Sequence, residues 1–162
     1  MSVLEAVVAK LSRYLDLFAG IILAVTAFLV VANILGRALF GRSILGTYEM
    51  VGFLTAAVIG LALSRCALED GHISVGFIVE KLPQGLQRYI DLLIGIPVLA
   101  FLFFVAFNLF DYGTIIAASG EVSPTTQIIF YPFIYLVAFG FLVLALTVLV
   151  RLLKLFFGGE WK

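Results

Sequence analysis

The chain has 162 residues, 64% of them hydrophobic and only 12% charged, and its ten basic and ten acidic side chains balance. Soluble globular domains carry about a quarter charged residues, so this composition excludes one and indicates an integral membrane protein. No basic stripe offers a nucleic-acid surface, and a single cysteine, Cys66, excludes an internal disulfide.

The first uncharged stretch, residues 17–36, covers 20 positions. It is longer than the apolar core of a cleaved leader, and no small-residue cleavage site follows it before Arg37, so it is expected to be retained. The polar residues at its end, Asn33 and Arg37, are four apart and share a helix face, which lets the amide hold the guanidinium. A short connection at 38–47 follows, with Gly41, Arg42 and Gly46.

The second candidate span is shorter. Only 15 residues between Glu49 and Arg65 are uncharged, about 22 Å of helix, so it crosses only if it begins at or before Glu49. Gly52, Ala56, Gly60 and Ser64 recur every fourth position, a small-residue stripe that lets another helix approach closely. Glu49 falls in the same angular sector, with Arg65 roughly opposite. Glu49 is therefore expected to face helix contacts and to pair with Arg37 or Arg42 across the short connection. Its alternative role is a titrating, ion-coupling carboxylate. Arg65 ends the helix as a snorkelling cation, and Cys66 reads as a small buried apolar residue.

Residues 68–87 contain His72, the sole histidine, then an apolar run too short to span, stopped by Pro83. This predicts a helix lying at the membrane interface over about 72–82. One histidine cannot build a bis-histidine haem site, and no cluster has metal-ligand spacing. The expectation is no cofactor, no metal, and no enzyme.

The third uncharged stretch, 92–110, covers 19 residues between Asp91 and Asp111, with Gly95 and Pro97 predicting a bend. A wet, irregular connection is expected over 113–127. The fourth stretch, 122–150, covers 29 residues, of which the first six are loop-like. The fold class is thus an all-α membrane domain of four transmembrane helices, at about 15–36, 45–66, 89–111 and 128–155.

Eight of the ten basic residues (Lys10, Arg13, Arg65, Lys81, Arg88, Arg151, Lys154 and Lys162) fall on the side of the termini and the second connection. Only Arg37 and Arg42 fall on the other. The positive-inside rule then puts both termini in the cytoplasm.

The block Asn33-x-x-x-Arg37-x-x-Phe40, Tyr48-Glu49, Gly60, Arg65 and Gly71-His72-Ile73-x-Val75 through Leu82-Pro83 resembles the small permease subunit of tripartite ATP-independent periplasmic (TRAP) transporters, the DctQ-like family. Ser123-Pro124 and Tyr131-Pro132 resemble the approach to that family's fourth helix. The similarity covers about 10–155; many members carry Trp and two acids where this chain has Thr47-Tyr48-Glu49.

The resemblance implies a bacterial inner-membrane protein whose partners are a larger membrane subunit of about a dozen spans and a periplasmic substrate-binding protein. The larger subunit would hold the sodium and organic-acid sites and move as an elevator. The small subunit would be its scaffold and part of the docking surface. Asn33, Arg37, Glu49, Gly52, Ala56, Gly60, Arg65 and His72 are then structural or subunit-interface candidates. Two alternatives come from other classes: a self-sufficient four-helix exporter coupling protons through Glu49, or a membrane anchor for another complex.

Overall fold

The computed structural model describes residues 2–68 and 84–156. The expected interfacial helix at about 72–82, with His72, lies outside them. Four helices account for most of the described chain: α1 Ser2–Phe40, α2 Thr47–Leu68, α3 Gln84–Ser119 and α4 Tyr131–Phe156. Each is long and apolar enough to cross a membrane. Among the described residues there is no strand, only an isolated antiparallel bridge between Val122 and Ile129.

The helices continue past the expected spans. With 39 and 36 residues, α1 and α3 measure about 58 and 54 Å, well beyond a hydrocarbon core of about 30 Å. The third connection is correspondingly shorter than expected. Gly113 does not open a loop; it is buried in α3, where a Cβ would stand 2.7 Å from Tyr135 Cε1 on α4. Here glycine serves close helix packing, so the helix runs on to Ser119 and the loop is confined to 120–130.

The packing order is α1–α2–α4–α3. Helix α1 lies on α2 with a smaller contact to α4, α2 on α4, and α3 on α4. Phe53 meets Phe130 and Phe133, Gly60 meets Val137, and Ala67 joins Leu144 and Ala145. These contacts advance together along both chains, so α2 and α4 run parallel. Gly113 against Tyr135 and Gly95 against Leu152 reverse the order, making α3 antiparallel to α4.

The central position of α4 explains its many buried residues, among them Ala138, Gly140, Val143, Leu144, Ala145 and Thr147. Leu15 and Ala19 of α1 pack with Leu61 and Val143 in one cluster. Ala67, Leu102, Leu144 and Ala145 form the other. In hydrocarbon such contacts are selected by close van der Waals fit, because lipid tails are as apolar as leucine. The tightest fit is the α2–α4 crossing. A Cβ on Gly60 would lie 2.9 Å from Val137 Cα, and one on Gly140 would run into the backbone at Gly60 and Leu61.

Candidate functional site

At the end of the bundle carrying the α1–α2 and α3–α4 loops, the chain builds a polar cluster. Helix α1 stops at Phe40, where Gly41 adopts φ 64° and its N–H donates to Arg37 O at 3.1 Å. This is a left-handed C-terminal cap that suits glycine. Asn33 Oδ1 accepts from Ile44 N at 2.7 Å. Thr47 Oγ1 donates to Ile44 O at 2.8 Å, and Met50 N to Gly46 O at 3.0 Å. Asn33, about two turns before the end of α1, and Thr47, the first residue of α2, therefore tie down one short loop.

The α3–α4 loop folds on its own frame and then onto this one. Ser123 N donates to Ile128 O at 3.0 Å and Gln127 N to Ser123 O at 2.9 Å. Gln127 takes φ 54° to close the turn. The loop turns its hydroxyls toward α2. Ser123 Oγ donates to Glu49 Oε2, Thr126 Oγ1 donates to the same oxygen at 3.1 Å, and Thr125 N donates to Oε1 at 3.1 Å. Thr126 also closes over Gly46, whose φ of 74° and missing side chain leave room for it. Below this layer Phe53 is stacked against Phe130 and Phe133, with centroids 5.5 and 5.7 Å away. The result is a clasp: Glu49, in the first turn of α2 where the helix dipole favours an anion, holds a loop more than seventy residues away in sequence.

Two expectations are corrected here. Among the described residues Glu49 makes no ion pair with Arg37 or Arg42; its oxygens are taken by the loop donors, which reach both of them. Asn33 does not hold Arg37 either: among the described residues its side-chain oxygen accepts from the backbone of the loop, at Ile44 N.

The small-residue stripe of α2 divides. Gly60 and Ser64 are buried against the bundle, whereas Gly52 and Ala56 are exposed, with open space around the Gly52 Cα. A four-residue spacing advances about 40° per step beyond a full turn, so the stripe winds off the packed face. The buried face of α2 is instead Ala57, Gly60, Leu61, Ser64 and Ala67, the spacing of a true helix face. Cys66, expected inside, is exposed. Arg65 lies in the last turn of α2 at the opposite end from Glu49.

Sequence reasoning missed the partners of Glu49 and a set of buried hydroxyls. Thr147 Oγ1 donates to Val143 O at 3.0 Å and Ser64 Oγ points to Leu61 O at 3.5 Å. Ser12 is fully buried on α1 with no hydrogen-bond partner among the described residues. The loop signal was legible in part, since Ser, Thr and Pro concentrate at 123–126. Its docking onto α2 was not. Among the described residues no three His, Cys, Asp or Glu side chains gather as a metal site.

Four long apolar helices, with polar side chains spent on internal fastening, define a multi-pass membrane protein. Residues 26–158 match the family described as tripartite ATP-independent periplasmic transporters, DctQ component. The chain belongs to that family, the small membrane subunit of TRAP transporters. No curated protein matches it closely enough to serve as a relative.

Proposed function

We propose that the chain is the scaffold subunit of a sodium-coupled importer of organic acids that depends on a binding protein. In this reading the larger membrane subunit moves the solute and carries the sodium sites, while this subunit stays still and widens its footprint. The subunit lies in the bacterial inner membrane with both termini in the cytoplasm, supported by the eight-to-two division of Lys and Arg. The clasped loop end faces the periplasm, where Pro124, Thr125 and Gln127, all exposed, contribute to the docking surface for the binding protein. Gly52 and Ala56 offer the larger subunit a face that a helix can approach closely.

The observation that carries this reading, beside family membership, is the use made of Glu49. An acid near a membrane that couples transport must exchange partners with protons, ions or solute. Glu49 is instead engaged by three donors of the chain's own loop. The same engagement argues against an exporter that couples protons through Glu49. Co-expression tests the proposal: the chain should purify with a larger membrane protein encoded beside it, and in its absence should neither bind nor move an organic acid. Solute uptake by the chain alone would refute the scaffold role.

A further inference from the structure

Arg37 and Arg42 are left without the anion that the sequence offered them. Arg37 lies in the last turn of α1 and Arg42 in the loop just after it, and both are exposed. The turn folds them together. Gly41 N bonds to Arg37 O, and a Cβ on Gly36 would lie 3.3 Å from Arg42 O, so the backbone of Arg42 sits back over the end of α1. Neither guanidinium has an ion pair or hydrogen bond among the described residues. Glu49, the nearest acid in sequence, is occupied by Ser123, Thr125 and Thr126. Asp111 is on α3, whose main packing is against α4.

The surroundings are apolar and uncovered. Leu39 is 72% exposed, Phe40 78%, Leu45 71% and Tyr48 92%. Side chains of this kind at the ends of two membrane-crossing helices belong at the boundary between hydrocarbon and headgroups, where aromatic residues with a polar tip concentrate. At that boundary an unpaired cation is poorly solvated and takes an anion where one is at hand. A phosphodiester presents two oxygens to the planar guanidinium fork, and arginine is the residue best shaped to take them. The alternation of cations with bulky apolar groups along Arg37, Leu39, Phe40, Arg42 and Leu45 accommodates a headgroup and its acyl chains together. A protein carboxylate would use the charge and leave the apolar frame unexplained.

We infer that Arg37 and Arg42, framed by Leu39, Phe40, Leu45 and Tyr48, bind the headgroup of an anionic phospholipid at the loop end, with its acyl chains along the exposed sides of α1 and α2. The site needs only the four spans and is independent of the transport reading.

The test uses the full chain carrying Trp161→Phe and Tyr48→Trp, which makes position 48 the sole tryptophan. It is reconstituted in phosphatidylcholine vesicles doped with a small, equal fraction of phosphatidylglycerol or phosphatidylcholine bearing a nitroxide at a shallow acyl position. Quenching by the phosphatidylglycerol probe should exceed that by the phosphatidylcholine probe about fivefold or more. Arg37→Gln with Arg42→Gln should bring the two to the same level, while Arg37→Lys with Arg42→Lys keeps part of the difference. Equal quenching in the parent, or a phosphatidylglycerol excess that survives the double glutamine change, overturns the inference. The parent comparison needs no arginine substitution, so a failure of a variant to fold leaves the test decisive. Equal quenching combined with loss of a co-purifying membrane partner from the double variant would assign the arginines to a protein carboxylate, and overturns it equally.

Discussion

Replacing Gly140 by alanine puts one methyl group where the backbone of the neighbouring helix already runs. The atoms it meets are the carbonyl group of Gly60 and the nitrogen of Leu61. Neither can rotate away as a side chain could, so α2 and α4 must separate along their main contact. The reciprocal change is milder. A Cβ on Gly60 meets Val137 Cα at 2.9 Å, and reaching ordinary contact at 3.4 Å needs a retreat of about 0.5 Å (3.4 − 2.9). Gly52 is the internal control, on the same helix with nothing within 4 Å. Overpacking of a close-fitted core costs about 1–3 kcal/mol. Gly140→Ala should therefore fall near 3 kcal/mol, Gly60→Ala near 1–2 kcal/mol, and Gly52→Ala within about 0.5 kcal/mol of the parent. Unfolding by SDS in mixed micelles, followed by far-ultraviolet circular dichroism, measures all three. A Gly140→Ala protein as stable as the parent, or one more stable than Gly60→Ala, would refute the backbone crossing as the tightest contact of the bundle.

Removing the clasp with Glu49→Ala should free the α3–α4 loop without unfolding the helices: in a Cys66→Ser background, a cysteine at Gln127 should react several-fold faster with a membrane-impermeant maleimide, and an unchanged rate would count against the clasp. Asn33→Ala strips Ile44 N of its acceptor and should lower stability by about 0.5–1.5 kcal/mol, while Asn33→Asp keeps the acceptor and most of the stability; the same SDS titration reads both. Gly52→Leu and Ala56→Leu should leave the isolated chain as stable as the parent yet reduce recovery of the larger membrane subunit on affinity purification, and undiminished recovery would move the interface off this face of α2.

The helices were legible because charge is so sparse: the gaps between Asp16 and Arg37, and between Asp91 and Asp111, leave little choice of where the chain can enter hydrocarbon. Their ends were less so. Gly113 and Thr114 look like loop residues until α4 is in place, and then Gly113 proves to be a notch for Tyr135, while Thr114 Oγ1 turns back to Asp111 O at 2.7 Å within the helix. Local spacing was informative only over one or two turns. It placed Gly60 and Ser64 on the packed face but carried Gly52 and Ala56 along with them, because a four-residue repeat winds around the helix. Glu49 shows the same limit in a sharper form. Its neighbours in sequence, Arg37 and Arg42, carry the complementary charge, yet its hydrogen-bond donors come from a loop that follows α3 in the chain. Charge complementarity ranks partners by sign; the fold decides which of them arrives. Two backbone features, the left-handed Gly46 and the left-handed Gln127, bring the loops close enough for three directed hydrogen bonds to prevail.

The central claim is that this subunit supports transport without performing it. The most direct measurement is sodium-driven uptake of a labelled organic acid into proteoliposomes containing the chain alone, the larger membrane subunit alone, or both, each with the binding protein outside. Uptake only when both membrane subunits are present is the predicted result. Uptake by the chain alone, or uptake by the larger subunit undiminished without it, would contradict the account.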